Sequence, residues 1–189
     1  MIERYAAPMA TLSIALGPQP AQRAFNLRRW AELSADAELA KVEGRIETDR
    51  HGRILMSPPP APRHGSYQLE IGHLLRSLMP HGRVLTECPI STADGVKAAD
   101  VAWASAESLR ALGHRACFPQ APELCVEVLS PNNTETEMQE KIALYFDAGA
   151  HEVWLCADSG AIRFLASATA RPLKGSRLCP QFPKQVELR

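Results

Sequence analysis

Neither the net charge of the sequence nor its longest apolar runs indicate binding to nucleic acid or to a membrane. Its 21 basic and 21 acidic residues cancel, so no overall positive field attracts nucleic acid. No apolar run approaches the roughly 20 residues that span a bilayer. The apolar stretch Ala10–Leu16 lacks the basic flank of a signal peptide. These absences favour a cytoplasmic protein.

Cysteine is sparse and has no metal-binding or redox pattern. The chain has five cysteines, an odd number, and none is part of a CxxC pair. We interpret all five as reduced, buried thiols, which again fits the cytoplasm. A thiol enzyme is a third alternative for function, but Cys125 and Cys156 have no evident histidine partner.

What is present indicates one globular domain. The chain has 189 residues, of which 46% are apolar and 22% are charged, and these values are typical of a single folded core. We expect an N-terminal extension over residues 1–25 and one domain over residues 26–189.

Periodicity and turn residues predict alternating helices and strands. Helices are predicted after an Asn26 N-cap, between His64 and Met79, after a Ser105 N-cap, and from a Thr134–Glu137 capping box to Gly149. Strands are predicted over 44–48, 53–56, 83–90, 96–103, 124–130, 152–156 and 161–165. This order predicts an α/β (α+β) fold, with a single mixed sheet flanked by helices.

Two acidic residues stand in strands that are otherwise apolar. Glu127 lies within Leu124–Ser130, and Asp100 lies within Val96–Trp103. An ionised carboxylate in such a strand is costly unless it is paired or bound to a metal. Either residue alone could be a salt-bridge partner or lie at an exposed strand end. Together, in neighbouring strands, they predict a shared hard cation such as Mg²⁺, with Mn²⁺ as a substitute.

Lys141 lies on the helix that follows the Glu127 strand, at the margin of its apolar stripe. From there its ammonium can reach the end of a strand, orient a nucleophile and stabilise a phosphoryl transition state. The alternative is a surface lysine paired with Glu137, four residues earlier.

These segments together resemble a known family. The motifs are Ala99-Asp100-Val101, the segment from Pro122 to Pro131, Lys141 with Tyr145, Gly149 to Leu155, Glu43 to Ile46, and Met56 to Pro59 followed by His64. They are similar to the Uma-type family, a bacterial domain of unknown function grouped with restriction endonucleases. The resemblance covers Asn26 to Leu188, and its Glu-Val-Leu-Ser-Pro segment is its most specific part.

The resemblance implies a PD-(D/E)XK nuclease fold and a metal-dependent phosphodiesterase site. Asp100 and Glu127 would bind Mg²⁺ with the Val128 carbonyl, and Lys141 would position the attacking water. Glu43 would add a carboxylate, and His64 would contact a phosphate, unless it is an ordinary residue of the helix start.

The sequence departs from the family pattern at three positions, and the departures at Leu129 and Glu137 affect this expectation. Leu129 stands where the general nuclease motif has lysine, and Lys141 on the helix takes its place. Ala99 replaces a proline that carries no ligand. Glu137 replaces an aspartate, and its longer side chain would shift the Lys141 ammonium.

Charge is unevenly distributed along the chain. Residues 120–160 hold eight acids and one base, whereas residues 161–189 hold six bases and one acid. Basic residues that could flank a DNA backbone are Arg45, Arg50, Arg53, Arg63, Arg171, Lys174, Arg177 and Lys184. The simpler interpretation is that most of them form solvated surface. Because the net charge is zero, DNA affinity would have to come from the metal or from a homodimer.

Two functions are therefore carried forward. The first is a Mg²⁺-dependent endonuclease acting on DNA. The second is a nuclease fold that binds nucleic acid or protein without turnover.

Overall fold

The structure is a computed structural model that describes residues 19–131 and 133–188. Its helices are α1 (Gln19–Ser34), α2 (Pro62–Leu78), α3 (Ala106–Leu112) and α4 (Glu135–Asp147), with a short 3-10 turn at Leu39–Lys41. Its strands are β1 (Arg45–Thr48), β2 (Ile54–Ser57), β3 (Gly82–Thr92), β4 (Gly95–Ser105), β5 (Leu124–Val128), β6 (Glu152–Cys156) and β7 (Ile162–Leu165).

The main sheet has five strands in the order β3-β4-β5-β6-β7. Its pairings are antiparallel except for β5 with β6, which are parallel. The predicted class, a mixed sheet flanked by helices, is confirmed. The expectation of a single sheet needs correction, because β1 and β2 form a separate two-stranded sheet. Glu47 and Thr48 of β1 bind the edge of β4 through side-chain oxygens, so the hairpin does not extend the backbone ladder.

Strand β5 lies at the centre and is buried on both faces, as its apolar sequence predicts. Val126 and its same-face neighbours pack with Tyr67, Ile71 and Leu75 of α2. Cys125 faces the other layer, where it packs with Ile142 and Tyr145 of α4. A charged side chain on β5 is therefore placed in the interior.

Helix α1 begins earlier than the sequence predicts. Asn26 lies in its middle, so the prediction of an N-cap there is wrong, and the predicted domain boundary after residue 25 falls inside the helix. The Asn26 side chain is buried and donates to Ser91 Oγ and to the carbonyls of Thr92 and Gly95. The Asn26 side chain therefore stabilises the turn between β3 and β4 and does not cap a helix.

The predicted N-caps at Ser105 and Thr134 are confirmed, and the helix predicted from His64 begins two residues earlier, at Pro62. The Ser105 side chain accepts the N–H of Ser108, and Thr134 with Glu137 forms the complete capping box. The predicted strand 124–130 ends at Val128. All five cysteines are buried with free thiols.

No helix in the described ranges is long and apolar enough to cross a membrane. The stretch Ala10–Leu16, on which the signal-peptide expectation rests, lies outside the described residues.

Replacing Asn26 with alanine tests its role in the β3–β4 turn. We expect Asn26→Ala to lower the free energy of unfolding by about 2 kcal/mol, because the Thr92 and Gly95 carbonyls lose a buried donor. Urea denaturation measures the loss. The control is Ser34→Ala at the exposed end of the same helix, and an equal loss in both variants would contradict the assignment.

Candidate active site

The candidate site lies where β4 and β5 diverge. The two strands pair over three residues only, from Trp103–Leu124 to Val101–Val126. Beyond this pairing, the side chains of Asp100 and Glu127 occupy the fork, and both are almost completely buried, at 1% and 3% exposure. The short ladder therefore brings two carboxylates into the interior on adjacent strands, as the sequence predicts.

Asp100 has partners from three elements. Its Oδ2 accepts the N–H of Val128 at 2.6 Å, and its Oδ1 accepts a hydrogen bond from Arg45. His64 Nε2 lies 3.3 Å from the same Oδ1. Burial alone would raise the pKa of Asp100, but His64 and Arg45 outweigh it and lower the pKa to about 2. Asp100 is therefore ionised at neutral pH.

Glu127 has the opposite electrostatic character. Burial raises its pKa to about 7, although the nearby Lys141 ammonium opposes the shift and Asp100 adds to it. Tyr145 of α4 donates to Glu127 Oε1 at 2.7 Å, and Lys141 donates to Oε2 at 3.1 Å. Near neutral pH this carboxyl can thus gain or lose a proton.

Lys141 is directed into the site and not toward the surface. Its Nζ lies 3.1 Å from Glu127 Oε2, from Glu47 Oε1 and from the Ala98 carbonyl. Burial lowers its pKa, but the two carboxylates outweigh burial and the net shift is upward. The alternative, an ion pair between Lys141 and Glu137, does not form. Glu137 instead accepts hydrogen bonds from Thr134 in the capping box. The longer Glu137 side chain therefore does not affect the ammonium.

The β1–β2 hairpin contributes two side chains whose place in the site was not predicted. Arg45 and Glu47 are two residues apart on β1 and therefore face the same way. Glu47 Oε1 accepts the Ala98 N–H at 2.8 Å as well as contacting Lys141. Glu43, the predicted extra carboxylate, is exposed ahead of β1 and has no described contact with the site. Charged and apolar residues alternate in β1, and this alternation could have predicted that Glu47 and Arg45 lie on one face of the strand.

Arg45 needs a correction, because the sequence suggested a surface base beside DNA. Its side chain is only 17% exposed and bridges Asp100 and Glu87. It donates to Glu87 through Nε at 2.6 Å and Nη2 at 2.8 Å. Gln68 of α2 also donates to Glu87, at 2.6 Å. Glu87 is thus a further acidic neighbour of the site.

The Glu87 backbone is unusual. Among the described residues it is the one non-glycine with positive φ, at 49°. It lies between the Thr86–Val101 and Cys88–Ala99 pairs of the β3–β4 ladder, at the level of Asp100. An L-residue held in the left-handed region is unfavourable and occurs often at functional sites.

His64 and Val128 lie where the sequence predicts. His64 is in the first turn of α2, and its Nε2 is buried without a well-formed hydrogen bond. Val128 ends β5, with its amide committed to Asp100. Its predicted role as a carbonyl ligand stays a prediction.

The charges and oxygen donors in this cluster suit a hard cation, and Arg45 and Lys141 lie on oxygens that it would use. Four carboxylates face two permanent cations, and the members are Glu47, Glu87, Asp100 and Glu127 with Arg45 and Lys141. When all four are ionised, two negative charges are in excess. Oxygen donors with excess negative charge suit Mg²⁺. However, within residues 19–131 and 133–188 no three His, Cys, Asp or Glu side chains form a ready metal site.

Of the other seven basic residues predicted to flank DNA, three lie beside an aspartate and four are exposed. Arg50 contacts Asp94, and Arg63 contacts Asp158. Arg53 is a loose, exposed partner of Asp49 at 4.0 Å. Four further bases are exposed near the C-terminus, namely Arg171, Lys174, Arg177 and Lys184.

Comparison with known proteins gives one family and one fold. The model of the Uma2 family, described as "Putative restriction endonuclease", matches residues 31–169. A crystal structure described as a putative nuclease of DUF820, from Anabaena variabilis, is 20% identical to the chain. It has a TM-score of 0.58 over 72% of this chain and 80% of that chain, and at this identity the likeness shows the fold alone. A search of curated proteins gives no match.

Removing the Lys141 ammonium should destabilise the fold in a pH-dependent way. Because the folded pKa of Glu127 is raised to about 7, its favourable contribution is present below the unfolded value near 4.5 and is lost as pH rises through 7. We expect Lys141→Met to cost about 3 kcal/mol at pH 8, where the buried Glu127 loses the cation that pairs with its ionised form. At pH 5 the cost should be clearly smaller.

Chemical denaturation at the two pH values checks this. Lys41→Met is the matched control, because Lys41 is an exposed lysine in an ion pair with Glu38 and should cost less than about 1 kcal/mol at both pH values. A loss for Lys141→Met that does not change between pH 5 and pH 8 would contradict the assigned coupling to Glu127.

Proposed function

This chain belongs to the Uma2 family, and we propose that it is a Mg²⁺-dependent endonuclease that hydrolyses DNA phosphodiester bonds. The observation that carries the proposal is the pair of buried carboxylates, Asp100 and Glu127, at a strand fork with the Lys141 ammonium bound to one of them. Buried charges of this kind cost stability, and a fold that keeps them at one point has a use for them.

Asp100 and Glu127 would hold the cation, assisted by the Val128 carbonyl. Mn²⁺ would substitute for Mg²⁺, since both prefer oxygen ligands. When bound, such an ion polarises a phosphate oxygen and acidifies the attacking water. Asp100 suits this role because its low pKa keeps it ionised at all physiological pH values.

Lys141 would orient the nucleophile and stabilise negative charge in the transition state. Its position supports this role, because contacts with Glu127, Glu47 and the Ala98 carbonyl fix the ammonium from three sides. Glu47, and not the exposed Glu43, is the additional carboxylate within reach of Lys141. We therefore assign the supporting acidic role to Glu47.

Glu127 would ligate the cation as the ionised carboxylate. Burial raises its pKa to about 7 without a cation, and a divalent charge beside it would favour the ionised form. Tyr145 holds Oε1 through a 2.7 Å hydrogen bond, so Oε2, which faces Lys141, is the oxygen that would contact the cation.

The substrate and cellular setting follow from weaker features. His64, with a buried nitrogen that has no well-formed hydrogen bond, is the proposed phosphate contact. The exposed bases near the C-terminus would flank the DNA backbone, and homodimer formation would supply affinity that a neutral chain lacks. Five free thiols support a cytoplasmic setting.

One observation favours a second candidate, a nuclease fold that binds nucleic acid or protein without turnover. All four oxygens of Asp100 and Glu127 already have protein donors or cations beside them. Such a module would keep its binding partner after Glu127→Ala and would not nick DNA under any metal condition.

A plasmid assay tests the nuclease proposal. Incubated with supercoiled plasmid and Mg²⁺ or Mn²⁺, the protein should produce nicked circles. Asp100→Asn and Glu127→Gln should lower the rate by about 10³-fold, and Lys141→Gln by about 10²-fold, because each removes a group that binds the cation or stabilises developing charge.

The control is Asp94→Asn, which removes a carboxylate whose partners, Arg50 and Lys97, lie outside the site. This variant should nick at the wild-type rate. Nicking that persists at the same rate in Asp100→Asn would show that a contaminating enzyme or another site is responsible.

A further inference from the structure

Arg45 makes contacts that do not fit a simple structural ion pair. Its guanidinium is divided between two carboxylates that differ greatly in exposure. Glu87 is 44% exposed and takes two hydrogen bonds from Nε and Nη2, whereas Asp100 is 1% exposed and takes one from Nη2. The same nitrogen thus serves both partners.

Arg45 contacts Asp100 Oδ1, the oxygen at which we expect a cation to bind. The other oxygen, Oδ2, accepts the Val128 amide at 2.6 Å, which ties it to the backbone of β5. Oδ1 has side chains as its neighbours, namely Arg45 and His64. A cation bound at Oδ1 and the Arg45 guanidinium therefore compete for the same oxygen.

Glu87 is built to keep Arg45 when Asp100 releases it. The bidentate contact survives if the bond to Asp100 is lost, since Nε donates to Glu87 alone. Gln68 holds the Glu87 carboxylate from α2 at 2.6 Å. The positive φ of Glu87 directs this side chain to the level of Asp100 at an energetic cost that regular pairing would avoid.

We infer that Arg45 is the exchangeable counter-ion of Asp100, that a divalent cation must displace it, and that Glu87 receives it. The inference rests on the proposed function in that it assumes a cation at Asp100. Without the cation, Arg45 prevents an unpaired charge in the core. With the cation, it remains beside the site on Glu87. Arg45 is thus a positioning residue that sets the affinity for the cation.

Arg45 lies on an element that is separate from the main sheet. Arg45 lies on the hairpin that forms its own two-stranded sheet and is attached to β4 through side-chain acceptors. A shift of this hairpin does not break the five-stranded ladder. The exchange therefore requires no change in the main sheet.

Calorimetric titration of Mg²⁺ into the full-length protein, without DNA, tests the inference. Arg45→Gln should bind Mg²⁺ about tenfold more tightly than wild type, because the competitor is gone. Arg45→Lys should also bind more tightly. It keeps the charge but loses the planar fork that donates to both carboxylates at once. If Arg45 acted only through its positive charge, Arg45→Lys would leave the Mg²⁺ affinity unchanged. This variant therefore distinguishes displacement of Arg45 by the cation from a general effect of its charge.

Arg50→Gln is the matched control, because it removes a positive charge from the same hairpin while its partner, Asp94, lies outside the site. Its Mg²⁺ affinity should equal that of wild type. An affinity of Arg45→Lys equal to or weaker than wild type, or an equal gain in Arg50→Gln, would overturn the inference. If Arg45→Gln does not fold, Arg45→Lys decides alone, since it keeps the positive charge at this position.

The outcome is separable from that of the proposed nuclease. A wild-type protein that nicks DNA while Arg45→Lys binds Mg²⁺ no more tightly would keep the nuclease and reject the exchange. Tighter binding in both Arg45 variants without any nicking would keep the exchange and reject the nuclease.

Discussion

The cost of placing two carboxylates inside a five-stranded sheet governs the rest of this structure. Asp100 and Glu127 lie where β4 and β5 stop pairing, and almost no water reaches them. Buried charges need compensating partners. The chain supplies these from the separate hairpin, from the start of α2 and from α4. Each of these peripheral elements therefore places a partner beside one of the two acids.

The two acids are compensated differently, and this difference gives the site its chemical asymmetry. Asp100 lies beside His64 and the Arg45 guanidinium, which together outweigh burial and lower its pKa to about 2. Glu127 is buried beside an ammonium and a phenol, yet its pKa rises to about 7. Without a cation, Asp100 is thus ionised at neutral pH, whereas Glu127 exchanges a proton there. In the proposed endonuclease both would ligate the cation as carboxylates.

Sequence reasoning finds the parts of the site whose signal is local. Glu127 and Asp100 are detectable because each interrupts an apolar strand, and Lys141 because it lies on the margin of an amphipathic, capped helix. The capping box of Thr134 and Glu137 is likewise local and is confirmed. The mixed sheet follows from the order of strands and helices, and its central strand from an unbroken apolar run.

The rest depends on contacts that spacing along the chain does not encode. Arg45 and Glu47 join the site because their hairpin docks on the edge of β4 by side-chain hydrogen bonds, about 50 residues away in sequence. Asn26 resembles a helix cap locally, but its partners lie on a distant turn. Glu87 depends on a local backbone distortion that no composition rule predicts.

The most direct test of this account is a crystal soaked in Mn²⁺ and measured at the manganese absorption edge. The account predicts an anomalous peak in contact with the carboxylates of Asp100 and Glu127, with the Arg45 guanidinium withdrawn from Asp100 and still bound to Glu87. A saturating soak that gives no peak in the fork, with Arg45 unmoved, would contradict it.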